Sequence, residues 1–106
     1  MTDTADHRFA WTVPVDHPAL AGHFPGDPLL PATAILDWLD QLASDTFGHG
    51  LAGGSTQAKF LRPARPGECL QARLNPLPKG GFGFEIRIGD ELAVSGRSTP
   101  ASGNIA

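Results

Sequence analysis

The sequence predicts an α+β domain in which a mainly antiparallel sheet wraps one long, nearly buried helix. Three observations predict it. Residues 32–47 contain no Gly or Pro and are apolar over most of a helical circumference. Four later segments alternate apolar and polar residues with the period of two that marks half-buried strands. Ten prolines and thirteen glycines in 106 residues supply many turns, which suits a strand-rich fold better than a helix bundle.

Taken in order, residues 1–7 and 100–106 are expected to be flexible tails on a single domain spanning 1–106. Residues 8–15 put Phe9, Trp11, Val13 and Val15 on one face and Arg8, Ala10 and Thr12 on the other. Pro14 makes this strand an edge or ends it, because proline has no N–H to donate. Residues 16–22 lead into the stretch that organises the chain, His23-Phe24-Pro25-Gly26-Asp27-Pro28-Leu29-Leu30-Pro31. Three prolines in nine residues exclude a strand or helix interior and make a stiff, extended loop. Pro31 is expected at the first position of the helix over 32–47, and Gly48 stops that helix.

Ala34, Ile35, Leu36, Trp38, Leu39, Leu42, Ala43 and Phe47 cover most of the helix, leaving Thr33, Asp37, Asp40, Gln41 and Ser44 as a narrow polar stripe. Ile35, Leu39 and Leu42 are spaced to share one buried face. The glycine-rich loop over 48–54 lacks a phosphate-cradling lysine and reads as a connection. Residues 55–61 form a strand with Thr56, Ala58 and Phe60 on one side, and 62–67 a proline-broken corner. Residues 68–75 turn Leu70, Ala72 and Leu74 inward. After a turn over 76–81, Phe82, Phe84, Ile86 and Ile88 alternate cleanly. Gly89-Asp90 is a hairpin turn, and 91–99 returns with Leu92 and Val94 inward.

The composition excludes several functions. An apolar content of 41% is that of a folded domain. A net charge of −3 argues against nucleic acid. The single Cys69 cannot form an internal disulfide, and no Cys/His cluster has metal spacing. The polar, acidic start is no signal peptide, and no run is long enough to span a membrane. A cytoplasmic protein that binds neither membrane nor metal is expected.

The chemistry gathers at the organising stretch. A rigid loop carries His23 up to a helix that carries Asp37 one to two turns in, a candidate proton-transferring pair. By residue type alone, a lone histidine beside Phe24 is more often packed and bonded to a backbone carbonyl. His7, His17 and His49 read as surface residues and Asp27 as a turn residue. Asp37 belongs to a stripe of a kind usually solvated. The apolar remainder of the helix predicts that the stripe is partly covered, and half-burial favours the protonated form a general acid needs. The amides of Ala32 and Thr33 have no intrahelical acceptor and lie at the positive end of the helix dipole, where they can hold a developing oxyanion.

The same stretch resembles the active-site signature of the 3-hydroxyacyl-(acyl carrier protein) dehydratases, the FabA/FabZ-like enzymes of the hot-dog fold. His23, Phe24, Gly26, Pro28, Pro31, Asp37 and Gln41 fall at the offsets of HF-x-G-x-P-x-x-P-G-x-x-x-x-[E/D]-x-x-x-Q. Residues 59–68, KFLRPARPGE, resemble the family's strand-and-turn KFRRPVxPGD. Ala32 departs from the family's usual Gly; its amide remains available, but its methyl group is expected to crowd a thioester lying against the turn.

The resemblance implies a homodimer that converts 3-hydroxyacyl thioesters on acyl carrier protein to 2-enoyl thioesters, with no cofactor and no metal. It implies His23 and Asp37 as catalytic residues and Phe24, Gly26, Ala32, Thr33 and Gln41 around the substrate. Among the cations Lys59, Arg62, Arg65, Arg73, Lys79 and Arg87, the first three are candidate carrier-protein contacts, with ordinary solubilising charge an equal alternative. The short chain points to a specialised branch such as the aryl-polyene, ApeI-like enzymes. A hot-dog thioesterase and a non-catalytic acyl-binding subunit are the alternatives.

Overall fold

Alternation builds the sheet. In the computed structural model, which describes residues 6–16, 29–51, 54–78 and 80–99, the elements are β1 (His7–Thr12), α1 (Ala32–Phe47), β2 (Ser55–Phe60), β3 (Cys69–Pro76), β4 (Phe82–Ile88) and β5 (Glu91–Thr99). The strands form one sheet in the order β1-β3-β4-β5-β2, antiparallel throughout. In the central pair, Leu70 lies opposite Ile88, Ala72 opposite Ile86 and Leu74 opposite Phe84. All six are buried. Side chains alternate faces along a strand, so this register puts one continuous apolar surface on one side of the sheet.

The helix lies on that side. Ile35, Leu39 and Ala43, spaced by four, are its buried residues. Trp38 meets Trp11 of β1 with ring centroids 5.4 Å apart, and Phe47 meets Phe82 of β4 at the same distance. Gly48 ends the helix in the left-handed region (φ 82°), its N–H donating to the Ser44 carbonyl at 3.1 Å. The buried face thus ends on Ala43 where Leu42 was expected; Leu42 is half-buried. The sheet covers this one side, and Thr33, Asp37, Gln41 and Ser44 on the other are exposed.

Two strand expectations change. β1 ends at Thr12, with a last rung in which the Val13 N–H donates to the Glu68 carbonyl at 2.9 Å. Pro14 cannot continue the ladder, and Val15 is 78% exposed where an inward residue was expected. At the other end β1 begins at His7, which pairs with Leu74. In β5, Val94 pairs with Ile86 but Leu92 pairs with Arg87, so Ala93 is an extra residue. That bulge resets the phase: Ala93 and Val94 are both buried and Leu92 only half so. Further along β5, Gly96 lies opposite Phe84, and a Cβ there would overlap the Phe84 ring and the Gln57 carbonyl of β2. Glycine lets the ring lie across the strand.

Asp40 is no member of a solvated stripe. Its carboxylate accepts the Leu51 N–H at 2.7 Å and ties the loop after the helix back onto it. A Cβ at Gly50 would overlap that carboxylate and the Ser44 hydroxyl, so the loop closes tightly only with glycine there.

Candidate active site

Pro31 is the N-cap of α1, one position before the place expected, with an extended backbone (φ −63°, ψ 151°). Its carbonyl accepts the N–H groups of Ala34 at 3.0 Å and Ile35 at 3.4 Å. The amides of Ala32 and Thr33 precede these bonds and have no intrahelical acceptor. No acidic side chain stands in the first turn to offset the positive end of the dipole. Beside this turn lies a groove of about 300 Å³ whose walls include Leu30, Ala32, Ile35, Phe60, Pro63 and Ala64. Phe60 and Leu61, which also line it, are 42% and 58% exposed. An apolar groove beside a helix start whose first amides have no intrahelical acceptor suits an acyl chain whose carbonyl gains negative charge.

Asp37 follows about 7.5 Å further along the helix axis, five residues at 1.5 Å each. Thr33, Asp37 and Gln41 share one exposed stripe with the helix start. The expected half-burial of Asp37 does not occur in the single chain, because the sheet covers only the opposite side of the helix. Gln41 donates its Nε2 to Asp45 Oδ1 at 3.1 Å. His23, Phe24 and Gly26 lie outside the described residues, as do His17, Asp27 and Lys79.

Arg62 is not a free docking charge. Its Nη1 and Nη2 donate to the two Glu68 carboxylate oxygens at 3.0 and 2.6 Å. Its Nε donates to Glu91 at 2.9 Å, and Nη1 also reaches the Pro63 carbonyl at 3.1 Å. A guanidinium held by four bonds over a proline corner has a structural role beside the expected one as a carrier contact. The Arg62 hydrogen bonds hold the Glu68 carboxyl below the usual carboxylate range; burial opposes them, and the Arg65 amide adds to them. The same bond to Glu68 raises Arg62 above the ordinary arginine range. Lys59 and Arg65 are exposed. Arg73 bonds Glu85 at 2.8 Å, and Arg87 approaches the same carboxylate at 3.9 Å. In the sequence Glu68 reads as the end of a turn motif and the start of a strand, and Glu91 as the start of the last strand. Two acids converging on one arginine across six and 29 residues leave no periodic signal.

A second groove, of about 350 Å³, crosses β1, β3 and β4 between Arg8, Gln71, Arg73 and Arg87. These residues alternate with buried Leu70, Ala72 and Leu74, so they occupy the face away from the helix and from Asp37.

Comparison with known proteins agrees with this fold. The model of the ApeI-like family, described as ApeI dehydratase, matches residues 1–97. The 3-hydroxyacyl-[acyl-carrier-protein] dehydratase FabZ of Chlamydia trachomatis serovar L2 is 33% identical over 98 residues, covering 79% of this chain and 64% of that protein. The chain therefore spans less than two thirds of the length of that relative. Among solved structures, the dehydratase heterocomplex ApeI:P from Xenorhabdus doucetiae superposes with a TM-score of 0.73 at 25% identity, over 92% of this chain and 88% of that one. An uncharacterized Erwinia carotovora protein gives 0.75 at 30% identity, over 93% and 86%. The fold is the hot-dog fold, and the chain belongs to the ApeI-like dehydratase family.

Proposed function

We propose that this chain dehydrates 3-hydroxyacyl thioesters carried on acyl carrier protein to 2-enoyl thioesters, in fatty acid or aryl-polyene biosynthesis in the cytoplasm. The observation that carries the reading is the helix start: the Ala32 and Thr33 amides have no intrahelical acceptor and no acidic side chain in their turn, Ala32 lines an apolar groove, and Asp37 follows on the same helix. The amides of Ala32 and Thr33 hold the thioester oxygen as it becomes enolate-like, a stabilisation of about 10²–10³-fold per donor. His23 takes the proton from the carbon next to the thioester. Asp37 assists departure of the 3-hydroxyl as water, by giving a proton or by positioning that water. Each proton-transfer role is worth about 10²–10⁴-fold.

The partner subunit of the reading is a second copy. Two features support it: β2 stands at one end of the sheet with no described strand on its outer side, and the Asp37 stripe is exposed. In such a dimer, His23 of one subunit works with Asp37 of the other. The similar ApeI:P structure is a heterocomplex, so sizing and mass measurement of the purified chain distinguish a self-paired protein from one that needs a different subunit.

The test incubates the protein with 3-hydroxyacyl carrier proteins of several chain types and follows loss of water by mass spectrometry. His23→Ala should abolish dehydration and Asp37→Asn should cut it strongly, with both variants folded. Release of free thiol instead of an enoyl product would replace the reading with thioester hydrolysis. Co-refolding the two variants should return roughly a quarter of wild-type activity, since about half the dimers are mixed and each mixed dimer has one intact site.

A further inference from the structure

The corner between β2 and β3 is built more firmly than a connection requires. Arg65, Pro66, Gly67 and Glu68 form a turn in which the Glu68 N–H donates to the Arg65 carbonyl at 3.1 Å. Pro66 at the second position and Gly67 with φ 84° at the third are the residues a type II turn demands. The Glu68 side chain folds back to accept the Arg65 N–H at 2.8 Å and meets the Arg62 guanidinium with both oxygens. Glu91, at the start of β5, holds the guanidinium from the other side. The Gly67 N–H donates to the Val13 carbonyl at 2.8 Å, which ties the turn to the end of β1.

Inside this frame sits Ala64, 1% exposed, whose carbonyl accepts the Leu30 N–H at 2.8 Å. Leu30 and Ala64 form an isolated antiparallel bridge. The next residue, Pro31, is the N-cap of α1, and the one after it is Ala32. Two residues and one hydrogen bond therefore separate the corner from Ala32, which lines the groove. Arg62 also forms part of the groove wall.

We infer that Arg62 and Glu68 are positioning residues: their paired side chains fix the corner that anchors Leu30 and so aim the Ala32 and Thr33 amides at the substrate carbonyl. The inference rests on the dehydratase reading for its kinetic consequence but not for its structural one. A bidentate guanidinium–carboxylate pair fixes direction as well as distance, which a lysine cannot reproduce. A misplacement near 1 Å at a reacting centre costs about 10²-fold in rate.

Two measurements on the full chain test it. Hydrogen exchange followed by mass spectrometry reads the amides of residues 29–34 against those of β4 as an internal reference. Dehydration kinetics on a 3-hydroxyacyl carrier protein read kcat and KM separately. In Arg62→Met, which keeps an apolar stem against the groove, and in Glu68→Gln, exchange at 29–34 should quicken while β4 is unchanged. The kcat should fall by about 10²-fold with KM within about threefold, because an oxyanion donor acts on the transition state more than on ground-state binding. Arg62→Lys should recover only a small part of kcat. Should Arg62→Met fail to fold, Glu68→Gln decides alone, since it keeps the shape while losing the charge and one of the two acceptor oxygens. Wild-type exchange at 29–34 in Glu68→Gln overturns the inference, as does an unchanged kcat. If the wild-type protein hydrolyses thioesters or turns nothing over, the dehydratase reading fails and the exchange result alone decides the clamp.

Discussion

Replacing Leu39 by alanine tests the fold and the site together. Leu39 is fully buried, between Ile35 and Ala43 on the face of α1 that meets the sheet. The change removes three carbons, worth about 2.4 kcal/mol at roughly 0.8 kcal/mol each. The cavity left behind raises the total to about 2.5–5 kcal/mol. Leu42, half-buried one position before Ala43 at the edge of that face, should cost about 1 kcal/mol on the same change, since less of it leaves water on folding. Urea unfolding followed by circular dichroism, at one fixed protein concentration, gives both values. The pair carries the argument because of angle. Asp37 stands two residues from both Ile35 and Leu39, about 200° around the helix. If Leu39 is inward, Asp37 must face out on the exposed side of the helix. A Leu39→Ala loss below about 1 kcal/mol, or a Leu42→Ala loss that equals or exceeds it, would show that the helix is rotated and that the site geometry is wrong.

Two further outcomes follow from the same contacts. Glu68 has its folded pKa lowered, chiefly by Arg62. Its pairing therefore stabilises the fold fully above the ordinary carboxylate value of about 4.3, and that contribution is lost as pH falls through the lowered folded value. Glu68→Gln should lower the melting temperature at pH 7 and flatten its decline on acidification; a decline as steep as the wild type's would remove the pair from acid stability. Ala32→Gly removes a methyl group that borders the groove, so turnover should rise despite the poorer helix propensity of glycine, and unchanged kinetics would mean the thioester does not lie against this turn.

The sheet was legible because burial on one face leaves a period of two, and Phe82, Phe84, Ile86 and Ile88 show it without interruption. The helix was legible at both ends because Pro31 and Gly48 have backbone geometries that residues in mid-helix do not share. The bulge at Ala93 was not legible. It adds one small apolar residue between Leu92 and Val94, and no local composition marks which of the three is the extra one. The bonds of Asp40 and Arg62 were not legible for a common reason. A charge in a sequence has no visible partner, and theirs are a loop amide 11 residues on and two acids six and 29 residues on. The chain uses the first charge to hold a loop and the second to hold a corner.

Asp37 presents the opposite case, in which the apolar count was right and the supposed cover was wrong. Ala34, Leu36, Trp38, Leu42 and Phe47 are only partly buried against the core, and the stripe of Thr33, Asp37 and Gln41 is open. The helix carries more apolar surface than one sheet face encloses. The same chain leaves Phe60 and Leu61 exposed where β2 ends, beside the groove, and leaves β2 at the end of its sheet. An apolar excess on the helix, an apolar rim on the groove and a sheet edge with no described neighbour are each unfavourable alone. The proposed second subunit is economical because one two-fold contact along the edge could relieve more than one of them, and a two-fold contact yields two equivalent sites. It also makes the co-refolding experiment the sharper test of mechanism. A folded single chain already presents the helix-start amides and Asp37, so recovery of activity in mixed dimers would report specifically on where His23 comes from.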